Sequence, residues 1–180
     1  MRNRDKSEFG GALNMKLCHL STEYFVRKLN DNDIDMIYNL CKGNTIFYRF
    51  HPPIATRESI AEDMQALPPN KGYDDKFYIG FFENDKLAAL MDLIFDYPSD
   101  KVAYIGLFMV DPEFQGKGAG TKIIGECCSY WKSLGYQKVR LGVDKGNPQS
   151  SAFWAKNNFV ETGEEHSNGT YDYVLMERAL

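Results

Sequence analysis

A chain of 180 residues, 43% apolar and 14% aromatic, is long enough to bury a real core in one domain, which excludes a disordered chain. Its net charge of -4 leaves no basic stripe for a phosphate backbone, so nucleic acid is not an expected partner. No apolar run approaches the ~20 residues of a membrane span, and the polar start "MRNRDKSEFGGALN" has no signal-peptide core, so a cytoplasmic protein without a membrane partner is expected.

Residues 1–14 read as a loose or non-native tail, and residues 15–180 as a single domain. "HLSTEYFVRKL" (His19 to Leu29) has the aromatic and β-branched content of a strand. "NDNDIDMIYNLCKGN" predicts a helix capped at Asp31 or Asn32, with an apolar stripe of Ile34, Ile37, Leu40 and Cys41 and a stop at Gly43. The connection "CKGNTIFYRFHPPIA" is aromatic and irregular, which suits either packing or a substrate-facing loop. Its His51 is read as an exposed loop histidine or as a substrate-site group. A second helix opens at Thr56, with Ser59 three residues on, and stops at Pro68 and Pro69.

"KFYIGFFEN" and "KLAALMDLIFDY" flank "ENDK" as a hairpin, and Asp100 to Val110 follows as a further strand. Ile123, Ile124, Cys127, Cys128, Trp131 and Leu134 then recur at helical spacing, with Gly135 as the stop. "YQKVRLGVD" is a buried-looking strand, and Asn147 with Pro148 opens a short helix. "FVETGEE" and "TYDYVLMERAL" close as a hairpin around "HSNGT". Strand, glycine turn, helix and strand in the middle make a βαβ unit, so part of the sheet should be parallel: an α/β fold with a mixed sheet. The four cysteines have no CxxC pair and no histidine at ligand spacing; they read as free thiols with no metal.

"MVDPEFQGKGAG" (Met109 to Gly120) hands a strand to a helix through three glycines, which is costly unless bare backbone is needed. Amides freed by Gly116, Gly118 and Gly120 can converge at a helix start on a phosphate or pyrophosphate, with Lys117 beside them. A Walker A loop is excluded because no Gly-Lys-Ser/Thr occurs. A dinucleotide fingerprint is excluded because Thr121 stands where its last glycine belongs. A ligand-free glycine turn is the bland alternative.

The stretch Gln115-Gly116-Lys117-Gly118-Ala119-Gly120 fits the Q/R-x-x-G-x-G/A loop of the GNAT N-acetyltransferase superfamily, and Leu107 to Phe159 resembles that family's central and C-terminal motifs in order and spacing. The resemblance implies a GNAT-type acyl-CoA N-acyltransferase fold, a central twisted mixed sheet flanked by helices, with two middle strands splayed. It implies acetyl-CoA as cofactor, with Phe108, Met109 and Val110 along the pantetheine. It also implies Gln115, Gly116, Lys117, Gly118, Ala119 and Gly120 around the pyrophosphate, Thr121 starting the helix, and Asn147 near the pantetheine. Trp154 occupies the position where the family often has a tyrosine acid; an indole can stack on the cofactor or donate a hydrogen bond but cannot cycle a proton.

The implied reaction is direct attack of a primary amine on the thioester. The amide of Val110 or Met109 would donate to the oxyanion, and a base would take the amine proton. Asp92 and Tyr104 are tentative catalytic candidates, with Asp96, Tyr97, Asp144 and Tyr173 behind them. Glu126 is expected on an exposed helix face, and Cys127 and Cys128 as core thiols. The expected partners are acetyl-CoA and a small amine, amino acid or peptide terminus, with room for a homodimer. The alternative is a non-catalytic acyl-CoA-binding regulatory module, favoured by Trp154.

Overall fold

The structure, a computed structural model, describes residues 15–180; the tail expected at 1–14 lies outside the described residues. In chain order the elements are β1 (Phe25–Lys28), α1 (Ile34–Gly43), α2 (Arg57–Gln65), β2 (Lys76–Glu83), β3 (Lys86–Phe95), β4 (Val102–Val110), α3 (Ala119–Ser133), β5 (Lys138–Asp144), α4 (Pro148–Lys156), β6 (Val160–Ser167) and β7 (Asp172–Ala179). They form one sheet in the order β1-β2-β3-β4-β5-β7-β6, antiparallel except for the β4–β5 pair. The hairpins expected around "ENDK" and "HSNGT" are β2–β3 and β6–β7.

The helices use the residues that the spacing indicates. Thr56 and Ser59 form a reciprocal capping box on α2, and Asn147 caps α4 by accepting from the Ser150 amide, with Pro148 at the first position. Three local expectations shift. The cap before α1 is Asn30, whose oxygen accepts from the Asn32 amide, and a 3-10 turn Asp31–Asp33 intervenes. Gly43 is the last helical residue rather than the stop. The first strand shortens to Phe25–Lys28, because Leu17–His19 turns as a 3-10 helix instead of extending.

Opposite strand faces bury two clusters. Ile123, Ile124, Cys127, Cys128 and Trp131 of α3 pack with Ile79, Met91 and Leu141 on one side, while Ile37, Leu40, Ile60 and Met64 of α1 and α2 pack with Leu90 and Met109 on the other. Burial raises both thiols of α3, so they are inert core groups as expected. Glu126 departs from its expected open face: it accepts from the Ser21 hydroxyl at 2.7 Å and the Thr22 amide at 3.1 Å, tying the segment before β1 to α3.

The feature that shapes the centre is the short β4–β5 ladder. It runs only from Val102 to Ile105 against Lys138 to Leu141. Beyond it β4 follows β3 as far as Val110, and β5 follows β7 as far as Asp144, so the two parallel strands part into a V. A bulge sits where they part: Asp92 pairs with Leu107 and Leu93 with Ile105, leaving Gly106 as the extra residue. A Cβ on Gly106 would lie 3.0 Å from Asp92 Oδ2, so the close approach of β3 needs the bare glycine.

One ion pair anchors α1, which borders the V. Arg27 grips Asp33 through two hydrogen bonds of 2.8 and 2.7 Å, and Asp33 also accepts from the Asn30 amide. Those bonds hold the Asp33 carboxyl below its ordinary value of 3.8. A depressed carboxylate stabilises the fold above its unfolded pKa, and that contribution is lost as pH falls through the native one. Asp33→Asn should therefore cost about 2 kcal/mol at neutral pH. In urea unfolding, the gap between wild type and variant should be widest above pH ~4 and shrink as the solution is acidified below it; a pH-independent gap would show that the ion pair is not its source.

Candidate active site

Residues at the mouth of the V build a cavity of about 290 Å3. Its floor is Phe108 to Val110, its far side is the glycine turn Gln115 to Thr121 without Lys117, and its lid is α4 with Asn147, Phe153 and Trp154. Gly116 and Gly118 have φ of +72° and +88°, a left-handed region that suits glycine, and nothing lies within 4 Å of where a Cβ would sit. The helix α3 begins at Ala119, two residues before the expected Thr121, with Gly118 as its uncapped N-cap. No side chain therefore takes up the first amides of α3, which remain available to an anion. Gly120 is needed for packing instead: a Cβ there would come within 3.0 Å of the Phe153 ring and 3.3 Å of Val110.

The ladder decides which strand amides are free. Asp111 donates to Ala88, so by antiparallel alternation Met109 turns its amide toward β3, while Phe108 and Val110 turn theirs into the V. Of the two oxyanion donors read from the sequence, only Val110 is thus free; Met109 is spent on the sheet, with its side chain buried. The Val110 carbonyl is closed off. Asn44 Nδ2 donates to it at 3.2 Å and Gln115 Nε2 at 2.8 Å, and Gln115 Nε2 also donates to Asn44 Oδ1 at 2.7 Å. The Gln115 side chain therefore ties α1 to the end of β4, leaving its backbone to line the cavity.

Other expected groups fall as follows. Asn147 lines the cavity, but its oxygen is the α4 cap. Thr121 lines it one turn inside α3, and its hydroxyl accepts from Asn157 at 3.4 Å. Lys117 is exposed and outside the lining; Lys156 of α4 lines it instead, a residue that the motif gave no reason to choose. Uncapped amides, open space at two glycines and unpaired amides on β4 together fit a pyrophosphate joined to an extended amide-bearing arm, the chemistry of a CoA thioester.

A second cavity of about 400 Å3 shares Phe47, Phe108, Ser150 and Trp154 with the first. Trp154, 6% exposed, stands in the wall between them, packed against Phe153 and Phe159 at ring distances of 4.9 Å. The second cavity holds Asp92, Tyr104, Asp144 and Tyr173; Asp96 and Tyr97 are outside its lining. Asp92 is committed: its Oδ2 accepts from Lys76 at 2.9 Å and its Oδ1 is buried without a hydrogen-bond partner. Burial raises the Asp92 carboxyl against the pull of Lys76, and pushes Tyr104 up to about 12.

His51 is the group that the sequence underrated. Its Nδ1 lies 3.0 Å from Asp144 Oδ1 and its Nε2 lies 3.0 Å from the Tyr171 hydroxyl. Asp63 of α2 lines the same cavity, open to solvent on one side and with no hydrogen bond among the described residues; burial raises its carboxyl, offset in part by Lys76 and His51. No metal-binding group of histidines, cysteines and carboxylates occurs among the described residues, and no helix among them is long and apolar enough to cross a membrane.

Comparison with known proteins agrees with this geometry. A family model described as "Acetyltransferase (GNAT) family" matches residues 40–159. No curated protein matches in sequence. Among solved structures, an acetyltransferase from Thermus thermophilus superposes with a TM-score of 0.70 at 18% identity, covering 90% of this chain and 99% of that one. The PaiA N-acetyltransferase of Thermoplasma acidophilum, solved with coenzyme A, gives 0.63 at 18%, covering 87% and 99%. A spermidine N-acetyltransferase SpeG chimera from Vibrio cholerae and hSSAT gives 0.65 at 24%, covering 88% and 96%. These likenesses concern the fold.

If the glycine turn holds the pyrophosphate, Gly118→Asp should strain a φ of +88° and set a negative charge before the phosphates. Calorimetric affinity for CoA should fall by about 100-fold or more. Unaltered affinity would remove the turn from the cofactor site.

Proposed function

Because the chain belongs to the GNAT acetyltransferase family, whose acyl donor is acetyl-CoA, we propose that it transfers acetyl to a cationic amine that carries no carboxylate. The observation that carries this reading is the pair of cavities meeting at Phe108 and Trp154, one lined by free amides, the other by carboxylates.

In this reading the amides of the glycine turn and the start of α3 hold the pyrophosphate, and the Val110 amide holds the arm. Acetyl-CoA supplies a thioester whose carbonyl can be attacked. Val110 lines only the cofactor cavity, so the Phe108 amide, where the two cavities meet, is the one that donates to the carbonyl oxygen as charge develops there, from a strand already fixed by β3. Trp154 and Phe108 form an apolar partition that excludes water from the thioester and leaves the acceptor one direction of approach.

The lining of the second cavity supports the acceptor class. Asp63, Asp92 and Asp144 face it, no lysine or arginine among the described residues lines it, and Lys76 behind it is taken up by Asp92. An ammonium gains from this field, and a carboxylate has no partner to offset its desolvation. Tyr78, Tyr104, Tyr171 and Tyr173 add faces that suit a cation with an aliphatic chain. The spermidine enzyme among the structural neighbours acts on an amine of this kind. A non-catalytic acyl-CoA-binding module has no use for a second cavity of this chemistry beside the thioester end, and nothing in the fold favours it.

Cadaverine and lysine differ by one carboxylate and so test the reading. In a CoA-release assay with acetyl-CoA, spermidine and cadaverine should be turned over, with kcat/KM about tenfold or more above that of lysine. Equal use of lysine would overturn the acceptor class. Tight CoA binding with no release from any amine would overturn the transferase reading itself.

A further inference from the structure

We propose that Tyr171, His51 and Asp144 form the proton relay of this transfer, with the Tyr171 oxygen as the atom that takes the amine proton. This rests on the second cavity being the acceptor site. The three groups come from separate parts of the fold and are joined by two hydrogen bonds of 3.0 Å. Asp144 ends β5 and is 7% exposed; its backbone is held by Asn147 donating to its carbonyl and by the neighbouring Lys145 donating to Asp172. His51 is clamped between the Phe47 ring at 4.7 Å and the Tyr171 ring at 4.1 Å. Tyr171 is delivered by the β6–β7 turn, where Asn168 accepts from the amides of Thr170 and Tyr171.

The order of donors follows from the acid at one end. An ionised Asp144 can only accept, so His51 Nδ1 carries the ring proton and Nε2 is left to accept from the Tyr171 hydroxyl. Burial, and then the charge of Asp144, raise the Tyr171 hydroxyl, so it rests protonated and moves a proton only in exchange for another. The other titratable groups facing this cluster are Asp63 from α2 and Tyr173 from β7. Trp154 lines this cavity but cannot carry a proton, whereas Tyr171 supplies a phenol to it.

The step balances as follows. The lone pair of a neutral amine forms the C–N bond, and the nitrogen then bears an excess proton. That proton passes to the Tyr171 oxygen as the Tyr171 proton moves to His51 Nε2, leaving an imidazolium against the Asp144 carboxylate. Cleavage of the C–S bond leaves its electron pair on sulfur, and CoA departs as the thiolate, which takes a proton from solvent once it leaves the site. His51, with 35% of its side chain exposed, returns its proton to solvent. Amine and thioester become amide and thiol, and the protein ends as it began. Tyr171 is the catalytic residue that meets the amine; His51 receives through it, and Asp144 is a positioning residue.

The test uses the full chain with acetyl-CoA and cadaverine. His51→Ala should lower kcat by about 100-fold or more, and Tyr171→Phe by about tenfold or more, while calorimetric CoA affinity stays within about threefold because neither residue lines the cofactor cavity. The wild-type pH–rate profile should show an ionisation, active when deprotonated, that is absent from His51→Ala; the amine's own ionisation remains in both. Added imidazole should restore part of the His51→Ala rate, which a packing role would not allow. Retention of kcat within threefold in both variants, or loss of kcat with no rescue and an unchanged profile, would overturn the relay. If wild type releases no CoA with any amine, the transferase reading fails and the relay with it; if wild type is active and the variants behave as wild type, only the relay fails.

Discussion

The structure depends on the point at which β4 and β5 stop pairing. Each strand is held on its outer side for its whole length, β4 by β3 and β5 by β7, but the two hold one another only over Val102 to Ile105 and Lys138 to Leu141. The sheet is thus two sub-sheets sharing a short seam. The Gly106 bulge increases the local twist of β4 where the seam ends. Backbone amides that would pair in a continuous sheet, those of Phe108 and Val110, are left facing an opening, and a buried amide without a partner is costly. An extended ligand arm with amide groups of its own is the kind of partner that such an edge accepts. The fold maintains this cost because one core spans the opening: Ile79 and Met91 of β2 and β3 and Val139, Leu141 and Val143 of β5 all pack with Ile123, Ile124 and Trp131 of α3.

The same opening explains why the charges lie where they do. Beyond the seam, Gly106 and Phe108 of β4 and Gly142 and Asp144 of β5 line the same cavity. Gly142 is required there, since a Cβ would meet the Tyr173 ring at 2.9 Å. Asp92, one strand further in, is nearly enclosed, and its pairing with Lys76, only 4% exposed on its side chain, keeps that charge from being left alone. Asp144 finds its partner in His51. Asp63, on the exposed side of α2, lies where water can reach it. The second cavity therefore has its paired carboxylates deep and a solvated one on its exposed side, an arrangement that favours a cation.

What the sequence disclosed follows contact distance along the chain. The glycine turn, the Asn147–Pro148 start of α4, the Thr56–Ser59 box and both hairpins are set by residues within a few positions of one another, and the spacing showed each of them. The cap before α1 moved by one or two residues because Asn, Asp and Asn in succession all suit a cap, and the choice of Asn30 is made with Asp33, which Arg27 of β1 holds. Gln115 illustrates the limit of a motif: it lines the first cavity, but its side chain serves Asn44, 71 residues away. His51 shows the limit most fully. Its two partners lie 93 and 120 residues along the chain, so nothing in "RFHPP" indicates them. The nearest signal was indirect: Asp144, at the end of a strand that precedes a capped helix, already stood among the sequence candidates.

Trp154 is best understood through volume rather than through the proton that it cannot carry. A V left by two parting strands is an apolar gap, and unfilled space of that kind costs packing energy in proportion to its size. The indole, wedged among Phe108, Phe153 and Phe159, fills the end of the gap and divides it into two chambers. A tyrosine here would fill less of the gap and would bring a hydroxyl that must be hydrogen-bonded or solvated inside the partition. The larger, donor-only ring closes the wall with apolar surface, and the ionisable groups collect on its other side, where buried Asp144 pairs with the part-exposed His51. The replacement that looked like a loss of chemistry in the sequence is, in three dimensions, a separation of the apolar task from the polar one.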